Sequence, residues 1–207
     1  YGDVIAEPPV SSVESAFAIF QKSGADCIIA VGGGSSMDTA KGINILRYNE
    51  GPILRFADPT VPMAPCPGVI TIPTTSGTGS ELSNAIVLTD TSKPVHTKHL
   101  ILCLQGMAEF TVIDPSLVAG TPAKITMATG LDALAHLSES YVTVTGNLMT
   151  QPISEKFMEE VVKWLPEAVK NGQNMEAREH MAIAATAGGW MLSIAFALHS
   201  IAHSIGA

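Results

Sequence analysis

The sequence predicts an α/β fold in two parts: a Rossmann-like half over residues 1–120, then an all-helical half over residues 121–207. Three observations predict this. Short apolar runs alternate with helical patterns as far as Gly120, the rhythm of parallel strands joined by crossover helices. A glycine cluster, Gly32-Gly33-Gly34, falls where one apolar run gives way to a helical pattern. After Pro122 only helical periodicity remains.

The elements follow in order. Val13 to Lys22 reads as a helix and Asp26 to Val31 as a buried strand. Ser36 to about Leu46 reads as the next helix, with Ser35 and Ser36 as its caps. A proline-rich connection from Pro59 to Pro67 leads to a strand over Val69–Ile72 and a small-polar loop from Pro73 to Ser80. Ala85–Thr89 and His99–Leu104 flank the turn residues Asp90 to Pro94 and are expected to pair as a hairpin. Phe110–Ile113 gives a last short strand before Asp114-Pro115. Helices are expected over Ala123–Val142, Ile153–Val169 and from Glu176 to the end.

Composition excludes several function classes. The chain has 207 residues, 46% of them apolar, enough for a sizeable core. Its formal charge of -8, from 11 Lys+Arg against 19 Asp+Glu, repels a polyphosphate backbone, so no nucleic-acid partner is expected. Cys27, Cys66 and Cys103 are odd in number and widely spaced, which argues against a disulfide framework or a thiolate zinc site and for a reducing, cytoplasmic setting. Met181 to Leu198 carries no charge over a length that just reaches that of a membrane span. Its Ala, Gly, Ser and Thr content fits a helix buried inside a helical domain better, so no membrane is expected. No cationic leader opens the chain, and Tyr1 is not a natural start.

Chemistry enters with the glycine loop. Val31 to Asp38 places Gly32, Gly33 and Gly34 between a strand and a helix, where the backbone can approach a pyrophosphate and the first-turn N–H groups supply donors. The spacing is not that of the commonest Rossmann fingerprint, and a purely structural turn fits it too. Pro73-Thr74-Thr75-Ser76-Gly77-Thr78-Gly79-Ser80-Glu81 is a second small-polar loop after a strand. Two such loops at the carboxyl edge of a parallel sheet favour a dinucleotide.

Asp132 and His136 are four residues apart on a helical pattern, and His199 and His203 repeat that spacing. One carboxylate with two or three imidazoles from facing helices can hold a divalent first-row metal such as Fe(II) or Zn(II). Glu139 lies one turn beyond His136 and is read as structural, with support of the ligands as the alternative. His96, His99 and His180 lack comparable partners.

With these motifs in this order, the sequence resembles the iron-containing alcohol dehydrogenases, whose fold is shared with dehydroquinate synthase. The residues that carry the resemblance are Gly24-Ala-Asp26, Gly32 to Lys41, Pro73 to Glu81, Ile113-Asp-Pro115, Ala128 to His136 and His199 to His203. The resemblance implies a dinucleotide-binding part followed by a helical metal-binding part. It implies that Gly33, Gly34 and Ser35 bind the pyrophosphate of NAD or NADP, with Asp38 in the same motif. Thr74, Thr75, Thr78 and Ser83 would line the rest of the cofactor cleft, and Lys98 would contact ribose or phosphate. Asp132, His136 and His199 are implied as metal ligands, with His203 near the nicotinamide and substrate. The family's pattern begins before Tyr1 and continues past Ala207, where it places a further histidine ligand. Many relatives have an aspartate directly after the aromatic residue near the start; the order Tyr1-Gly2-Asp3 keeps NADP open.

The implied activity interconverts a primary alcohol or diol with its aldehyde, in a homo-oligomer acting on small molecules. Rival readings are a dehydroquinate synthase-like lyase, a metal-free reductase of maleylacetate type, and a non-catalytic assembly module.

Overall fold

The computed structural model describes residues 1–102, 107–191 and 197–205. Helix α1 (Val10–Ser23) ends on Gly24 in a left-handed conformation and is followed by strand β1 (Ile29–Gly32) and helix α2 (Gly34–Tyr48). Strand β2 (Val69–Pro73) then pairs in parallel with β1, and β5 (Ala108–Thr111) pairs in parallel with β2, giving the order β1-β2-β5. Between β2 and β5 the expected hairpin forms, with β3 (Ala85–Asp90) and β4 (Thr97–Leu102) antiparallel and Ala85 opposite Leu102. The Leu104 end of the expected second strand and Cys103 lie outside the described residues.

β1 departs from the buried strand expected of Asp26–Val31. It is shorter, and only Ala30 turns inward, against Met37 and Ala40 of α2. Ile29 and Val31 are 56% and 57% exposed because alternate residues of a strand face opposite sides, and no described element covers theirs.

After β5 come α3 (Ala123–Val142), α4 (Thr150–Lys170), α5 (Met175–Met191) and α6 (Ala197–Ile205). Among the described residues, two larger apolar clusters join these elements beside the small one at Ala30. Val13, Ile45, Ile53, Ile86, Leu88 and Ile101 close the space between α1, α2 and the hairpin. Leu137, Val161, Leu165, Met181 and Ala184 join α3, α4 and α5. The expected charge-free stretch from Met181 is, up to Met191, the second half of α5, with Met181, Ala184, Ala185, Gly188 and Gly189 buried. Residues 192–196, 206 and 207, which the sequence reading gave to one continuous helix, lie outside the described residues. Among the described residues no helix is long and apolar enough to cross a membrane.

The α/β and helical elements meet through small residues and buried polar groups. Gly79, left-handed at φ 59°, abuts the backbone of Gly189 in α5, and a β-carbon on Gly77 would strike Thr129 of α3. The hydroxyl of Thr186 donates to Glu81 Oε1 at 2.7 Å in a buried setting. Arg178, 2% exposed, donates to Gly172 O at 2.9 Å, Thr126 Oγ1 at 2.8 Å and Thr121 O at 3.0 Å. It thereby clamps the connection that leads into α3, and Gln173 Nε2 adds a bond to Ala119 O at 3.2 Å.

Candidate active site

Helix α2 starts one residue after Gly33, which is its N-cap and has no side chain to offer. The expectation that Ser35 and Ser36 cap this helix is therefore corrected: both lie inside its first turn. Glycine takes the cap because the neighbouring loop presses close. A β-carbon on Gly33 would meet Thr75 Oγ1 at 3.2 Å, and one on Gly34 would meet Thr78 at 2.9 Å. The amide of Thr74 donates to Gly32 O at 2.8 Å, so the two polar loops lie side by side. No side chain caps the first turn of α2, where Gly34 and Ser35 line a cavity.

Buried polar groups hold the second loop in place. Lys41 is fully buried and donates to Ser80 O at 2.9 Å and Ala85 O at 2.6 Å. Asp38 accepts from Ser80 Oγ at 2.5 Å and from the amide of Val87 at 2.9 Å. Asp38 thus faces the cavity with both oxygens already engaged by the fold. The carboxyl of Glu81 is pushed above the usual carboxylate range by burial, against the opposing effect of the Thr186 hydrogen bond.

The cavity, about 230 Å³, joins the two groups of residues that the sequence singled out. From the α/β side it is lined by Gly34, Ser35, Asp38, Thr78, Ser83 and Lys98. From the helices come Asp132, His136, His199 and His203. Gly33, Thr74 and Thr75 are beside it without lining it. Lys98, on β4, is held at 2.7 Å by Glu7.

Asp132 and His136 project from one face of α3, and α6 brings His199 to them. His136 Nε2 is 3.6 Å and His199 Nε2 3.4 Å from the same Asp132 Oδ1. The three ligand atoms lie within 4.8 Å of one another. The His136 and His199 rings have centroids 4.4 Å apart, so two imidazole nitrogens and a carboxylate oxygen are crowded at one point. His203 lines the same cavity outside this group, its ring centroid 5.9 Å from that of His199.

Electrostatics differentiate these groups. Burial raises the Asp132 carboxyl, but the bond from His199 and the nearby imidazoles outweigh it and hold the group below its usual range. Burial lowers His136, with Asp132 pulling the other way. His199 is raised by its contact with Asp132, burial opposing and Glu139 adding to the rise. His203 is lowered, by burial first and by His199 second. The donor set, one carboxylate and two imidazoles converging with exposure to a cavity, fits a divalent first-row cation.

Glu139 corrects the sequence reading. Its Oε1 lies 2.7 Å from His199 Nδ1, so it supports a candidate ligand rather than merely filling space. The signal was available, since Glu139 is three residues from His136 and seven from Asp132 and shares their helix face. Lys41 and Arg178 were given no role from sequence. His180 sits within α5, its Nδ1 2.8 Å from Glu160 Oε2 and its ring stacked on Trp164, away from the cavity. Tyr1 and Gly2 line a second cavity of about 410 Å³ with Ile29, Val31 and Thr39.

A family model described as iron-containing alcohol dehydrogenase matches residues 1–115. The chain belongs to the iron-containing alcohol dehydrogenase family. The C-terminal model of the same iron-containing alcohol dehydrogenase family matches residues 126–207. Among its relatives, alcohol dehydrogenase 4 of Schizosaccharomyces pombe is 36% identical over 100% of this chain and 49% of its own length. The 1,3-propanediol dehydrogenase of Klebsiella pneumoniae is 34% identical over 100% of this chain and 53% of its own length. The crystal structure of sulfoacetaldehyde reductase from Bifidobacterium kashiwanohense in complex with NAD+ superposes with a TM-score of 0.87 at 29% identity, covering 93% of this chain and 51% of that one. The chain thus spans about half the length of these iron-containing alcohol dehydrogenase relatives. The α/β part followed by a helical part is the family's fold, as the sequence implied.

Proposed function

We propose that the intact protein interconverts a primary alcohol or short diol with its aldehyde, transferring hydride between the substrate carbon and C4 of NAD or NADP. The observation that carries this reading is the single cavity shared by the start of α2 and the Asp132, His136 and His199 group. The similarity to an alcohol dehydrogenase of Schizosaccharomyces pombe and a 1,3-propanediol dehydrogenase of Klebsiella supports the substrate class, and the NAD+ in the Bifidobacterium structure supports the cofactor.

In this reading Asp132, His136 and His199 hold Fe(II), or alternatively Zn(II), which when bound supplies a Lewis acid beside the substrate oxygen. The first-turn amides of α2 at Gly34 and Ser35 bind the cofactor's pyrophosphate, with Gly33, Thr74, Thr75, Thr78 and Ser83 shaping the cleft. Asp38 acts through Ser80 and Val87, fixing the cleft's wall. Lys98 meets a cofactor ribose or phosphate in exchange for part of its contact with Glu7. His203, whose pKa is lowered by burial and by His199, relays the alcohol proton towards solvent.

The α/β and helical parts divide near Gly120 in this reading. A cytoplasmic homo-oligomer is the form proposed, on the cysteine pattern and on the family.

The test is turnover of NAD+ and NADP+ by the intact protein with primary alcohols and 1,3-propanediol, after loading with Fe(II) or Zn(II). Formation of reduced nicotinamide that depends on the metal and is lost in Asp132→Ala is expected. Equal turnover by wild type and Asp132→Ala would sink the reading.

A further inference from the structure

We propose that Glu139 is a positioning residue that fixes His199 for metal binding: its Oε1 engages His199 Nδ1 and so commits Nε2 to the point shared with Asp132 and His136. This rests on the metal reading above. An imidazole has two nitrogens, and a ligand presents its metal-facing lone pair reproducibly only when its other nitrogen is held. His199 has particular need of this. His136 sits mid-way along the twenty-residue helix α3, its β-carbon packed towards Gly188. His199 arrives on α6, a helix of nine residues, yet its nitrogen must meet two groups rooted in α3. The 2.7 Å contact of Glu139 ties it to that same helix.

A packing role does not account for a carboxylate here. Glu139 is 5% exposed, and its Oε2 is buried with no hydrogen-bond partner among the described residues. A buried, half-satisfied carboxylate is costly where an apolar side chain of similar size would pack without penalty, so its presence marks a role outside stability. Holding the Nδ1 proton while leaving Nε2 free is that role.

The test compares Zn(II) affinity, by chelator competition on the metal-free intact protein, in wild type and in the Glu139→Met, Glu139→Gln and Asp132→Ala variants. Co(II) absorption spectra report ligand geometry on the same samples. NAD+ titration verifies that each variant is folded. Glu139→Met fills the volume without an acceptor and is expected to weaken Zn(II) roughly 10- to 100-fold and to alter the Co(II) spectrum. Glu139→Gln retains an acceptor oxygen and is expected to recover most of the loss. Should methionine not be accommodated, Glu139→Ala replaces it with the same expected loss. Wild-type affinity in the methionine or alanine variant, or a glutamine variant no tighter than either, overturns the proposal while leaving the metal reading intact if Asp132→Ala loses Zn(II). Undiminished binding by Asp132→Ala overturns both.

Discussion

Gly79 and Gly189 meet backbone to backbone, one on the polar loop after β2 and the other inside α5, with no room at either for a β-carbon. Gly189→Ala would push the Gly79 backbone aside rather than displace a flexible side chain. It is expected to cost on the order of 1–3 kcal/mol and to lower the thermal midpoint. Gly120→Ala, whose β-carbon meets nothing within 4 Å, is the matched control and is expected to leave the midpoint unchanged. Calorimetry of the two variants checks both.

Arg178 is expected to be the costliest polar residue of the helical part to replace. Arg178→Met strips donors from Gly172 O, Thr121 O and Thr126 Oγ1 at once. The loss should be at least about 2 kcal/mol, read from denaturant unfolding. A loss confined to a few tenths would mean that these carbonyls find other partners.

Glu81 gives a pH dependence whose sign follows from its raised pKa. The folded protein retains a proton that the unfolded chain releases in the ordinary carboxylate range. Below that range both states are protonated and the buried carboxyl imposes no charge penalty. As pH rises through it towards the folded pKa, stability falls. Glu81→Gln keeps an acceptor for Thr186 but cannot ionise, so its stability relative to wild type should improve from pH 4 to pH 7, numbers set by roughly where free carboxyls titrate. Unfolding curves at a series of pH values measure this difference, and a flat difference would refute it.

Metal binding should stabilise the fold through mass action. At a Zn(II) concentration 100 times Kd the gain is about 2.7 kcal/mol, visible as a rise in thermal midpoint. His136→Ala, which removes one of the converging nitrogens, should show a much smaller rise at equal Zn(II).

Much of this architecture was legible because periodicity reports burial. Ala123–Val142 was bounded to the residue, since Pro122 stops the preceding chain and a helical pattern starts at once. The hairpin was legible from turn residues between two apolar runs. Asp132, His136 and His199 were found from spacing and resemblance, and they do converge. Other features depend on tertiary neighbours that spacing cannot report. The Ser35 and Ser36 caps were misread because Thr75 and Thr78 crowd the loop and leave glycine to cap the helix. β1 was read as a buried strand because an apolar run does not say which side is covered. Glu139 was read as structural because its partner lies sixty residues away on a separate helix.

The 230 Å³ cavity has walls drawn from both parts of the chain, the start of α2 on one side and the Asp132, His136 and His199 group on the other. An ion and a nucleotide held there would share those walls. By thermodynamic reciprocity, whatever factor a bound ion contributes to nucleotide affinity, the nucleotide returns to the ion. Where that factor exceeds one, depletion of either occupant would loosen the hold on the other.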